Sequence, residues 1–152
     1  LESRISKEKI FISAFGHNAE HIFKKIKQIH IVACGTSFNA ALVSKYWLED
    51  IAKIPCNVEV ASEYRYRNPV ILNDTLLVAI SQSGETADTL EALRIAKKIN
   101  SKVYTLSISN SAESSITRVS DLVFLTNAVL FVGILVIFSS TAAFSSNSVD
   151  VK

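Results

Sequence analysis

Two short stretches concentrate the groups able to do chemistry: "ACGTS" (Ala33 to Ser37) and "SQSGET" (Ser81 to Thr86). Each sets a glycine among hydroxyl or amide side chains, directly after an apolar run and directly before a helical pattern. Glycine lets backbone come close to a ligand. The helix behind such a turn begins with unpaired N–H groups, and its dipole favours an anion. Thr36, Ser37, Ser81, Gln82, Ser83 and Thr86 can then direct hydrogen bonds toward one spot, which suits phosphate and sugar hydroxyl oxygens. The plainer use of the same residues is capping, because Ser and Thr are preferred at the N-cap. Two such turns on separate strands, each with more hydroxyls than a cap consumes, favour an anionic polyol ligand. Glu85 and Asp88 would repel phosphate if they pointed inward, so they are expected to face solvent or a neighbouring chain.

Rival chemistries lack their residues. Neither Gly-Lys-Ser/Thr nor a set of three spaced glycines occurs, which argues against the common nucleotide motifs. His17, His21 and His30 are scattered without a carboxylate or thiol to complete a metal site, and read as solvated histidines; no metal and no cofactor is expected. Cys34 has no histidine near it in sequence and reads as a buried structural thiol rather than a nucleophile. Trp47 and Tyr46 read as helix packing.

The elements that must hold these turns follow from periodicity. Ala19 to Gln28 has Ile22, Phe23 and Ile26 at helical spacing, and Ile29 to Cys34 reads as a strand. Thr36 to Ile51 reads as a helix with Phe38, Leu42, Tyr46 and Trp47 on its apolar side, ended by Pro55 ahead of a strand at Cys56 to Ala61. Ser62 to Arg67 is polar and aromatic, without an assigned element. Thr75 to Ile80 is continuously apolar, as in a strand buried on both faces of a parallel sheet. Thr86 to Ile99 reads as a helix, with further strands at Lys102 to Ile108 and Asp121 to Thr126. This alternation predicts a doubly wound α/β fold, an open parallel sheet flanked by helices, with ligands at the carboxyl ends of its strands.

The chain has 152 residues, 49% of them hydrophobic, with a net charge of +2. That suits one domain with its own core. Acids are interleaved with the Lys and Arg residues, so no basic stripe for nucleic acid forms. Two cysteines and no signal peptide point to a reducing, cytoplasmic setting. The start at Leu1 rather than methionine suggests a piece of a longer product.

With both turns located, the chain resembles the isomerase part of the glucosamine-6-phosphate synthase family, the glutamine:fructose-6-phosphate aminotransferases. It is similar to the first of that family's two SIS (sugar isomerase) lobes. The similarity runs from about Arg4 to Ala128 and rests on "IHIVACGTSFNAALVSKYWLE", "IPCNVEVASEYRYR", "ISQSGETADTLEALR" and "SDLVFLTNA". It implies a flavodoxin-like, five-stranded SIS domain and a hexose-6-phosphate site at Ser37, Ser81, Gln82, Ser83 and Thr86, with Thr36 adjoining. It also implies a glutaminase domain and a second SIS lobe that carry the ammonia and the catalytic groups, in a homo-oligomer; no catalytic residue is expected in this chain. The alternatives are a sugar-phosphate-sensing module without chemistry, and a stand-alone phosphosugar isomerase that would need Glu63 or Glu85 as base.

Residues 1–18 read as a lead-in, 19–127 as the SIS domain and 128–152 as a divergent tail. From Leu122 to Val149 no charged residue occurs, and the family's Gly-containing, acidic and Ser-Thr-Lys stretch is replaced by "VLFVGILVIFSSTAAFSSNSVDVK". A frameshifted or degenerate end ranks first for this tail, an apolar helix second. A membrane anchor ranks last, because a span needs about 20 apolar residues.

Overall fold

A strand with no polar break must be covered on both faces, and every residue of Thr75–Ser81 is buried. The computed structural model describes residues 5–6 and 9–126. Its elements are β1 (Ile5–Ser6), β2 (Lys9–Ile10), a 3-10 turn (Ile12–Phe15), α1 (Ala19–Phe23), β3 (Gln28–Ala33), α2 (Gly35–Asp50), β4 (Cys56–Val60), α3 (Ala61–Tyr66), β5 (Thr75–Ser81), α4 (Ala87–Ile99), β6 (Tyr104–Ser109), α5 (Ser115–Val119) and β7 (Leu122–Leu125). The first two strands form a small antiparallel pair. The other five make one sheet in the order β4-β3-β5-β6-β7, parallel throughout. That is the flavodoxin-like order, with the reversal between β3 and β5.

Alternate residues of the strands feed two cores, as the pleat requires. Ile29, Ile31, Val78, Ile80, Leu106 and Ile108 pack with the 3-10 turn, α1 and α2, and Phe15 meets Phe124 with ring centroids 4.8 Å apart. Val32, Leu77 and Ala79 pack on the opposite face with α3, α4 and α5. Each fully buried Leu or Ile contributes roughly 1.5–3 kcal/mol, so the two apolar layers dominate the cohesion of the sheet. No helix among the described residues is long and apolar enough to cross a membrane. Residues 128–152, read above as a divergent tail, lie outside the described residues.

Four expectations are corrected. The face of α2 that meets the sheet is Ser37, Ala41, Ser44 and Leu48, while Leu42 and Tyr46 are 39% and 70% exposed. Small side chains let this helix lie close to the sheet, and Ser44 satisfies its hydroxyl on the Ala40 carbonyl at 2.8 Å. The first helix stops at Phe23, because the chain must turn to place Gln28 in β3 beside Thr75. Ser62 to Tyr66 lies within α3, capped by Arg67, and Tyr64 of that helix fills the second core.

His30 is the fourth. It is buried on β3, not solvated, with Nε2 2.7 Å from Glu59 Oε1 and its ring edge-on to Tyr64. Glu59 is also gripped by the Arg67 guanidinium. Burial holds the imidazole below its ordinary pKa, outweighing the pull of Glu59, so the neutral ring donates its N–H to the carboxylate. Below the ordinary imidazole value of about 6.5, the unfolded chain takes up a proton that the folded chain resists, so stability falls as pH drops through that value. Glu59 does not mask this effect. Its own carboxyl is held low, first by the Arg67 hydrogen bond, and its contribution is lost only in the more acidic range. Denaturant unfolding at several pH values should show His30→Gln losing less stability than the wild type between about pH 7.5 and 5.5; parallel curves would contradict the assignment.

Candidate functional site

β3 and β5 flank the point where the strand order reverses, and their carboxyl ends run into the two hydroxyl-rich turns. Between them opens a cavity of about 580 Å³. All six residues singled out in the sequence line it: Thr36 and Ser37 from the start of α2, and Ser81, Gln82, Ser83 and Thr86 from the turn before α4. Ser37 and Ser83 therefore share one cavity. Cys34, Asn110 and Ser111 line it too. Cys34 is half-exposed at the N-cap of α2, which corrects its reading as a buried thiol. Asn110 and Ser111 were not anticipated. They follow β6 in "ISNSAESS", a third hydroxyl-rich turn whose lack of a glycine hid its likeness to the other two.

The capping explanation of these hydroxyls does not hold. Neither α2 nor α4 has a side-chain hydrogen bond at its N-cap, and the first turn of α2 carries no acid. Ser37 is 5% exposed and lines this cavity, and its hydroxyl makes no hydrogen bond among the described residues. Facing the cavity, this hydroxyl is available to a ligand as donor or acceptor. In the second turn the hydroxyls first order the backbone. Ser81 Oγ accepts the Gly84 N–H at 3.1 Å and lies 3.0 Å from Thr86 Oγ1; Ser83 Oγ accepts the Glu85 N–H at 3.2 Å. Accepting leaves the Ser83 O–H proton free to donate, and the Ser81–Thr86 pair uses only one of its two protons.

Gly84 lies at φ +69°, in the left-handed region, and a Cβ there would fall onto the Ser114 side chain and 2.9 Å from Ser109 Oγ. Gly35 lies at φ +56°, but a Cβ there would meet nothing within 4 Å. The first glycine is fixed by contact and conformation, the second by conformation alone.

Among the described residues, no Lys, Arg, His, Asp or Glu lines this cavity. The two acids beside it are engaged elsewhere. Asp88 pairs with Arg65 at 2.9 Å, and Glu85 accepts from Ser115, whose hydrogen bonds hold its carboxyl below the usual range. An anion here would meet helix dipoles, backbone N–H groups and hydroxyls in place of fixed cations. The described lining supplies binding groups and no general base; Glu63 and Glu85 both lie outside it.

The SIS domain family model matches residues 22–149. The chain belongs to the SIS domain family. This SIS domain is 50% identical over 146 residues to the glutamine–fructose-6-phosphate aminotransferase (isomerizing) of Legionella pneumophila, covering 96% of the chain and 23% of that protein. It thus spans about a quarter of the length of the curated relatives it matches. Among solved structures it is similar to the C-terminal domain of glucosamine-fructose-6-phosphate aminotransferase from Francisella tularensis, with a TM-score of 0.87 and 42% identity over 97% of this chain and 44% of that one. The sugar isomerase domain of an RpiR transcription factor from Sphaerobacter thermophilus shares the fold, with a TM-score of 0.69 at 19% identity over 96% of this chain and 81% of that one.

Proposed function

We propose that this SIS domain binds fructose 6-phosphate and glucosamine 6-phosphate, as the sugar-phosphate lobe of a glutamine-dependent fructose-6-phosphate aminotransferase (isomerizing). The observation that carries the reading is the convergence of Thr36 and Ser37, at an uncapped helix start, with Ser81, Gln82, Ser83 and Thr86 on one cavity. Identity of 50% to a protein of that name supports the choice of sugar. The phosphate sits against the hydroxyls and N–H groups of the two turns, and the sugar oxygens reach toward Asn110 and Ser111. With no base on the described lining, ring opening, imine formation and proton transfer fall to a second SIS lobe, and ammonia to a glutaminase domain, in a cytoplasmic homo-oligomer of hexosamine synthesis.

A second reading, a sensor that binds without chemistry, is favoured by that same lack of a base and by the fold shared with a transcription factor domain. Ligand choice separates the two, since the aminotransferase lobe should prefer fructose 6-phosphate over an N-acetylated hexosamine phosphate. The site itself is tested by Ser83→Ala. Losing one hydrogen bond to a charged group should weaken fructose 6-phosphate binding about ten- to a hundredfold in calorimetry. Equal affinities would reject Ser83 as a ligand group.

A further inference from the structure

Glu85 sits inside the turn that lines the cavity, yet its carboxylate is spent on a different turn. Oε1 accepts the Ser115 N–H at 2.7 Å and Oε2 accepts the Ser115 hydroxyl at 2.6 Å, across 30 residues of sequence. Backbone bonds run alongside. The Gln82 carbonyl accepts the Asn110 N–H at 3.1 Å, and the Gly84 carbonyl accepts the Ile116 N–H at 3.1 Å. The Ser109 hydroxyl also reaches the Gln82 carbonyl, at 3.5 Å. The turn after β5 is thereby stitched to the turn after β6, and Asn110 and Ser111 belong to that second turn.

We propose that Glu85 is a positioning residue for the sugar-phosphate cavity: its two-oxygen grip on Ser115 draws the turn after β6 against the turn after β5 and holds Asn110 and Ser111 on the wall they share with Gln82 and Ser83. This rests on the sugar-phosphate reading above. The grip also turns the carboxylate away from the anion, so an acid that would otherwise repel phosphate supports its binding.

The two roles of a carboxylate at this place predict opposite signs. If Glu85 acted on the ligand only through its charge, removing it would tighten binding of a dianion. As a positioning residue its removal weakens binding, and the loss depends on Ser115. Calorimetry with fructose 6-phosphate on the 152-residue chain compares wild type, Glu85→Ala, Glu85→Gln, Ser115→Ala and the Glu85→Ala/Ser115→Ala pair. Glu85→Ala should weaken binding about tenfold, Ser115→Ala less, and the pair no more than Glu85→Ala alone, because both act through one contact. Glu85→Gln, which can accept from the Ser115 N–H and donate to its hydroxyl, should recover part of the loss. Affinity equal to or tighter than wild type in Glu85→Ala, or additive losses in the pair, would overturn the proposal. If Glu85→Ala does not fold, Glu85→Gln and Ser115→Ala decide, with wild-type affinity in both overturning it. Exchange of the Ser115 amide is measured without ligand, and should speed up about tenfold or more in Glu85→Ala. Unchanged exchange overturns the clamp even if the wild type binds no sugar phosphate, an outcome that would refute the ligand and not the clamp.

Discussion

Gly84→Ala should destabilise the fold by about 2–4 kcal/mol and remove measurable fructose 6-phosphate binding. Two costs coincide at this residue. Its φ of +69° is in the left-handed region, and the added methyl would occupy the place of the Ser114 side chain while coming within 2.9 Å of Ser109 Oγ. The backbone cannot yield cheaply, because the Gly84 N–H is held by Ser81 Oγ and its carbonyl by the Ile116 N–H. Relief would come by parting the turn after β5 from the turn after β6, and those turns hold Gln82, Ser83, Asn110 and Ser111 on the cavity. Gly35→Ala is the matched control. With open space around its Cβ it pays only the conformational cost, about 1 kcal/mol. Denaturant unfolding and calorimetry on both variants check the contrast, and a Gly84→Ala protein with wild-type stability would show that the turns are not packed as described.

Ser37→Asp should abolish binding at a modest cost in stability. Ser37 lies in the first turn of α2, which has no N-cap side-chain bond and no acid of its own. A carboxylate there complements the helix dipole by roughly 0.3–1 kcal/mol, which offsets part of the cost of placing a charge at a position only 5% exposed. The same carboxylate would stand where the phosphate oxygens are proposed to bind, using up the free N–H groups and repelling a dianion. The affinity loss should exceed about a hundredfold, since attraction gives way to repulsion and a hydrogen bond to a charged group is lost as well. Ser37→Ala should fall between the two. Calorimetry with fructose 6-phosphate, alongside thermal unfolding, reads both quantities. Retained binding in Ser37→Asp would remove Ser37 from the site and with it the main support for the ligand.

Much of the fold was legible because its signals are local. The unbroken apolar run at Thr75 to Ile80 marked the centre of the sheet, and strands alternating with helices left a parallel, doubly wound arrangement as the consistent solution. α2 shows where such reading stops. Leu42 and Tyr46 looked like part of its core face along with Phe38 and Trp47; the latter two do pack against the first core, but the helix otherwise buries Ser37, Ala41, Ser44 and Leu48 and leaves Leu42 and Tyr46 exposed. Hydropathy records how apolar a residue is, whereas packing also needs it to fit. His30 illustrates the same limit, since nothing within a few residues of it announces Glu59 or Tyr64.

By itself the sequence determined the layout of strands and helices and the hydrogen-bonding capacity of the two glycine turns, because both are written in residues adjacent along the chain. Only the tertiary structure decided that those turns open on one cavity, that a third turn with Asn110 and Ser111 joins them, and that Glu85 bonds Ser115 instead of lining that cavity. Those outcomes depend on strand order and on contacts tens of residues apart, where the partner of a polar group is chosen by which backbone the sheet brings beside it.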